Sequence, residues 1–287
     1  MVSLSLELKV YEDILDRFGN PRLKQARNYL LPLNQDAVPL LTDCFKFWQT
    51  FDEYMILKGE NIINGKVLYV ARKCSKRGND VFASRLKHRL GFIGSMDDTE
   101  FFDIKHFDVK KHVKTRLLWV TLTYDSKRCL LHDAWQNCMD EYNLWITNLR
   151  NKYGRIDVLR FIQPFPDDKG SAYGYPHFHL VMLFRDHEFS VFPNLEANSD
   201  GKMQLNFRIH EKYEVEAQGK WHSFIDVKAL SSARAVMNYC KAYAQDVCYG
   251  DSEKAVLNSA VLWLYRKQTY SLSGDFRRNY SEFIRAK

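Results

Sequence analysis

Two histidines two residues apart open an apolar run, Tyr175-Pro-His-Phe-His-Leu-Val-Met-Leu-Phe184. On a strand the side-chain period is two, so His177 and His179 leave one face about 7 Å apart along the chain. Imidazole is the commonest protein metal ligand, and a pair aimed this way can share one divalent cation. Upstream, Gln163 closes another apolar stretch, and its side-chain carbonyl is a permissible third ligand for a hard divalent ion. Downstream, Tyr239 and Tyr243 stand four apart on a predicted helix and therefore share a face. A phenolic oxygen is a competent nucleophile toward phosphorus when a cation polarises the phosphodiester. Each group also has a packing explanation. Core histidines are usually just hydrogen-bonded, a glutamine can be structural, and tyrosines at this spacing often fill a core.

Positioning these groups takes strands and a helix in a fixed order. Leu117-Leu-Trp-Val-Thr-Leu-Thr-Tyr124 is rich in β-branched and aromatic residues, as a strand requires. Leu131 to Tyr153 is a long amphipathic helix with Trp135, Met139, Tyr142 and Trp145 along one side. Asp157 to Gln163 is the next strand, with Arg160 on the face opposite Gln163, and Pro164 to Gly170 is a turn. The chain then returns as the histidine strand, apolar on both faces. Residues 186 to 215 are polar and carry no assignable pattern. Trp221 to Lys228 is a further strand, and Ser231 or Ser232 caps a helix to about Asp246 that bears both tyrosines. Another helix covers Glu253 to Lys267.

Residues 1 to about 60 show helical spacing, first Tyr11, Ile14, Leu15 and Phe18, then Leu40, Leu41, Phe45 and Trp48. A short strand, Gly65 to Ala71, follows, then a basic loop, Arg72 to Gly78, and a basic helix, Asp80 to Leu90. Arg77, Arg85 and Lys87 belong to a cluster that is either a solvated charged face or a phosphate-contacting patch. The expected class is α+β. A central antiparallel sheet with flanking helices spans 113–287, preceded by a mainly helical, basic region over 1–112 with possible DNA contact.

The 287 residues suffice for a full hydrophobic core, and the net charge of +7 suits a polyanion such as nucleic acid. Six cysteines without a Cys-x-x-Cys pair argue against a disulfide framework and a zinc ribbon. The opening Met-Val-Ser-Leu-Ser-Leu-Glu-Leu-Lys lacks a basic region followed by an apolar core, and no 18 apolar residues run together. Neither a signal peptide nor a membrane span is expected, and the cytoplasm is the expected compartment.

Three segments taken in order, Trp119-Val-Thr-Leu-Thr-Tyr124, Gly174-Tyr-Pro-His-Phe-His179 and Asn238-Tyr-Cys-Lys-Ala-Tyr243, resemble the motifs of the HUH endonucleases. The likeness is to the rolling-circle replication initiators of small plasmids, in their two-tyrosine form. It covers about 117 to 276. Tyr265 to Ser273 is loosely similar to their closing segment, with Thr269 where an arginine is usual. The resemblance implies a plasmid replication initiator that nicks one strand of single-stranded or origin DNA and rejoins it at termination. His177, His179 and Gln163 would hold Mg²⁺ or Mn²⁺. Tyr243 or Tyr239 would attack the phosphate, with Tyr243 favoured as the first, leaving a 5′-phosphotyrosine and a free 3′-OH.

Two departures matter. Gln163 stands where the family often has Glu, which leaves more of a cation's charge available to the phosphate. Lys241 lies two residues from each tyrosine, about 200° around the helix, and is expected on DNA backbone or in solvent. No Walker motif is present, so a host helicase and polymerase are expected partners. A transposase or relaxase of the same superfamily is an alternative, as is a non-catalytic nucleic-acid-binding protein. Asp226 is read as a charge near a helix end, and Tyr124, His187, His210 and His222 as structural.

Overall fold

In the computed structural model of the chain, the two most apolar stretches, Ile156–Pro164 and Pro176–Phe184, lie side by side in the middle of a five-stranded sheet. The structure describes residues 30–50, 53–61, 63–90, 113–165, 171–197, 201–230, 236, 238–239, 242–243 and 252–277. The predicted helix around Tyr11 to Phe18, the acidic stretch 97–108 and Lys241 lie outside them. In chain order the strands are β1 (Tyr54–Glu60), β2 (Val67–Lys73), β3 (Lys114–Thr115), β4 (Leu117–Thr123) and β5 (Ile156–Pro164). They continue as β6 (Pro176–Phe184), β7 (Phe189–Ala197), β8 (Met203–Ile209), β9 (Ile225–Ala229) and β10 (Tyr270–Ser273). The helices are α1 (Val38–Gln49), α2 (Asp80–Leu90), α3 (Leu131–Tyr153), α4 (Lys212–Gly219) and α5 (Glu253–Leu264). Val236, Asn238, Tyr239, Ala242 and Tyr243 are also helical and form the tyrosine helix.

The large sheet runs β10-β5-β6-β4-β9, and every neighbouring pair in it is antiparallel. Alternation along β4 shows how its two faces differ. Leu118, Val120 and Leu122 are buried, whereas Trp119, Thr121 and Thr123 are only half-buried. The first set, with Val158, Ile162, Phe178, Leu180, Met182 and Phe184, packs under α3. That helix follows from its spacing: Leu131, Ala134, Trp135, Cys138, Tyr142, Trp145, Ile146, Leu149 and Tyr153 recur at three- and four-residue intervals and are all buried. Tyr142 stacks on Phe178 at 5.4 Å between ring centres. Gly154 ends the helix at φ +78°, where a Cβ would lie 2.6 Å from the Asp186 carboxylate.

The opposite face is covered differently. Leu117, Leu159, Phe161, Val181 and Leu183 meet Val236 and Tyr243 of the tyrosine helix, Ala83 and Leu86 of α2, and Phe276. The apolar half of this face is closed, and its other end carries the threonines, the histidines and Gln163. The arrangement is α+β with antiparallel sheets.

Two expectations change. The region before residue 113 is not mainly helical among its described residues, because β1 and β2 form a hairpin where Tyr54 to Glu60 was grouped with helices. Nor do its described residues form a core apart. Leu41 and Phe45 of α1 belong to the α3-side core, and Phe45 and Trp48 pack on Trp263 of α5. The polar stretch 186–215 holds the start of α4 and also β7 and β8, which with β3 form a separate three-stranded sheet. Among the described residues no helix is long and apolar enough to cross a membrane.

Candidate functional site

Strand register assembles the site. On β6, His177 pairs with Thr123 of β4 and Gln163 of β5, while His179 pairs with Thr121 and Phe161. Directly opposed residues share a face, so two rows of side chains, Thr123–His177–Gln163 and Thr121–His179–Phe161, stand on the side away from α3. The imidazole ring centres are 4.5 Å apart. His177 and Gln163 are buried, and His179 is half-buried.

A hydrogen-bond chain fixes one imidazole. The Gln163 amide nitrogen lies 2.9 Å from Nε2 of His179. With the amide in this orientation Nε2 accepts and the ring proton sits on Nδ1; with the amide turned, the roles reverse. Nδ1 faces Thr121 Oγ1 at 3.4 Å, and the same oxygen accepts from Trp119 Nε1 at 3.2 Å. His177 Nδ1 stands equally far from Thr123 Oγ1. These contacts orient both rings, and freeing Nε2 of His179 for a cation requires the Gln163 amide to turn. A half-turn of the Gln163 amide would exchange its donor for its acceptor.

Burial keeps both imidazoles neutral. It lowers His177 to about 4, with the positive charge of Lys254 as a second cause. His179 is held well below its ordinary value by burial, then by His177, then by Lys254. Neutral imidazole is the ligating form, so the two histidines fit a divalent cation in protonation. Among the described residues no third His, Cys, Asp or Glu joins them. Gln163 is the further oxygen-bearing side chain in contact with the pair.

The two tyrosines lie on the histidine face at different depths. Tyr239 is half-buried, its ring 5.4 Å from that of His179 and 4.5 Å edge-on to Trp119. Tyr243 is buried against Phe161 at 4.8 Å, and its hydroxyl donates to the Ile162 carbonyl at 3.0 Å. The Thr269 carbonyl is 3.4 Å away, and Asn258 also reaches the hydroxyl. Burial pushes the Tyr243 phenol well above its ordinary value. The residue set next to the imidazoles is thus Tyr239 and not the favoured Tyr243. Tyr239 borders the imidazoles, and Tyr243 fastens the tyrosine helix to the edge where β10 meets β5.

The expected basic contacts divide. Arg77 donates from Nη2 to the Lys267 carbonyl at 3.0 Å, which ties the loop before α2 to the end of α5 and makes the arginine structural. Arg85 and Lys87 are exposed on α2, whose Ala83 and Leu86 pack on the histidine face of the sheet. Arg160 is buried on the other face, over the Tyr142 ring at 4.9 Å. Asp226 opposes Thr121 across β4 and is bound by Arg208, which also grips Glu196, so it joins β9 to the β7–β8 hairpin. Tyr124 and His222 share Glu141 at the end of β4.

Lys254 has no counterpart among the expected site residues. It is exposed in the first turn of α5, which Ser252 caps by accepting from Ala255 N. Asn258 follows four residues later and so lies on the same side of the helix. Asn258 reaches Tyr243 while the Lys254 charge acts on both histidines, so α5 brings a cation to their rim. A lone lysine in a helix start gives no sequence signal for this. Trp119 and Thr121 were legible only as strand formers. Compared with protein-family models, with curated proteins and with solved structures, the chain finds no match.

Proposed function

We propose that the chain nicks one strand of origin DNA by transesterification onto a tyrosine, as an initiator of rolling-circle plasmid replication with an HUH-type nuclease fold. The observation that carries this reading is the Tyr239 ring 5.4 Å from His179, on the face that also bears His177 and Gln163. His177, His179 and Gln163 would hold Mg²⁺ or Mn²⁺, which when bound supplies Lewis-acid polarisation of a phosphodiester. The Tyr239 oxygen attacks phosphorus and gives up its proton. The 3′ oxygen leaves, takes a proton and becomes a free 3′-OH, while the phosphate remains on the tyrosine as a 5′-phosphotyrosine. One P–O bond forms as another breaks, so the reverse reaction can rejoin the strand without an energy source.

Lys254 offsets phosphate charge from the rim, the part that Lys241 was not expected to play. Trp119 and Phe161 flank the Tyr239 ring and limit its rotation. The partners in this reading are origin DNA in the cytoplasm and a host helicase and polymerase, which would act on the 3′-OH.

The test is incubation with Mn²⁺ and single-stranded DNA, followed by a search for a protein–DNA adduct that survives SDS. Adduct is expected from the unaltered chain and from Tyr243→Phe, and none from Tyr239→Phe. A chain that binds DNA and never forms adduct would be a non-catalytic binding protein. Loss in Tyr243→Phe alone would restore the order expected from the sequence.

A further inference from the structure

Among the described residues the β1–β2 hairpin joins neither the five-stranded nor the three-stranded sheet. It is a two-stranded sheet of its own, and none of its residues belongs to either core. An isolated two-stranded ribbon is marginal in water, yet this one turns large apolar side chains outward. Register assigns them to faces. Tyr54 pairs with Lys73, Ile56 with Ala71, Lys58 with Tyr69, and Glu60 with Val67. These eight side chains share one face, on which Tyr54 is 59% and Tyr69 65% exposed.

We infer that this face of the ribbon binds single-stranded nucleic acid, stacking separate bases on Tyr54 and Tyr69 and meeting phosphates with Lys58 and Lys73. The inference rests on the reading that the chain acts on DNA. Each tyrosine is paired across the strands with a lysine, so a ring and an ammonium stand side by side at two levels of the face, with Ile56 and Ala71 between them. Aromatic platforms lined by cations are how proteins hold single strands without reading their sequence. The two rings are about 13 Å apart along the ribbon, too far to share one base.

The charge pattern argues against an apolar protein partner, which would have to desolvate both ammonium groups. Glu60 lies at the turn end of the face, and Lys73 also approaches Asp80 at 3.4 Å, a surface ion pair of little strength. The ribbon leads through residues 74–79 into α2, which packs on the histidine face of the large sheet. A strand held on the ribbon is thereby tethered to the element that borders the site.

The test is fluorescence anisotropy of a labelled mixed-sequence single-stranded oligonucleotide with the full chain in EDTA, so that no nicking intervenes. Tyr54→Ala and Tyr69→Ala are each expected to weaken binding about fivefold or more, and the double variant by the product. Tyr54→Phe and Tyr69→Phe keep the rings and should bind within about twofold. Lys58→Gln, which spares both rings, should lower the salt dependence of log Kd by about 0.7.

Should an alanine variant fail to fold, crosslinking a bromouracil oligonucleotide to the unaltered chain and mapping it to the Tyr54 and Tyr69 peptides serves instead. Unchanged affinity in the folded double variant, or crosslinks elsewhere only, overturns the inference. So does a dimer of the unaltered chain that the double variant dissolves without loss of affinity. Adduct formation with Mn²⁺ is scored separately, so the ribbon can fail while the nicking reading stands, and the reverse.

Discussion

The two faces of the five-stranded sheet are made by the same strands and differ in almost every other respect. Phe178 and His179 are chain neighbours on β6. Phe178 points into the layer under α3, stacked on Tyr142, while His179 points to the other face, beside Thr121 and the Gln163 amide. One face spends its burial on cohesion. The other is apolar at one end, where Leu159, Val181 and Leu183 pack, and at its other end buries two imidazoles and an amide. Strand alternation is what permits this division, because a one-residue step changes the environment completely.

The sharpest way to test the division is to alter the two neighbours. His179→Ala is expected to cut adduct formation a thousandfold or more, the several kcal/mol that a cation-holding group supplies, and to leave the melting temperature near that of the unaltered chain. Phe178→Ala should do the opposite. Unfolding free energy should fall by about 3–5 kcal/mol, the usual cost of emptying a core aromatic site, with adduct per folded molecule retained. Similar phenotypes from the two would break the comparison.

Acid should unfold the molecule through its polar face. The folded value of His177 lies below that of the unfolded chain, about 4 against 6.5. Its contribution is therefore intact above about pH 6.5 and drains away as pH falls toward 4, by about 2–3 kcal/mol. Denaturant titrations at pH 7 and pH 4.5 should show this loss, and His177→Gln should flatten the slope between them. A slope that survives the substitution would mean other groups control acid stability.

Smaller effects refine the picture. Thr121→Val removes the oxygen that meets Nδ1 of His179 and the Trp119 indole, and should weaken Mn²⁺ binding about 10- to 100-fold by calorimetry. Equal affinity would mean that the tautomer is held some other way. Tyr243→Phe deletes a buried hydrogen bond to the Ile162 carbonyl and should cost about 1 kcal/mol of stability.

The sequence carried much of the large sheet, because β4, β5 and β6 are apolar enough to be read without their neighbours. It carried the pairing of His177 with His179 because strand period needs no tertiary knowledge. It did not carry β7 and β8, whose outward residues are polar and whose inward ones are sparse. β1 is hidden because Tyr54, Met55, Ile56 and Leu57 run together without the polar alternation that marks a half-exposed strand. The depth of the tyrosines was hidden for another reason. Spacing of four gives a shared face, but the carbonyls of Ile162 and Thr269 decide which hydroxyl is anchored. Lys254 was illegible for the same cause: it comes to the histidines only through how α5 docks.

Gln163 has a consequence for thermodynamics. Two uncharged imidazoles and an amide have no acidic proton to shed near neutral pH, so loading them with a divalent ion should exchange no hydrogen ions with the buffer. The heat of loading at pH 7 should then be the same in phosphate and in Tris, whose ionisation enthalpies differ widely. The ion would keep its full double charge, ready for an anionic guest.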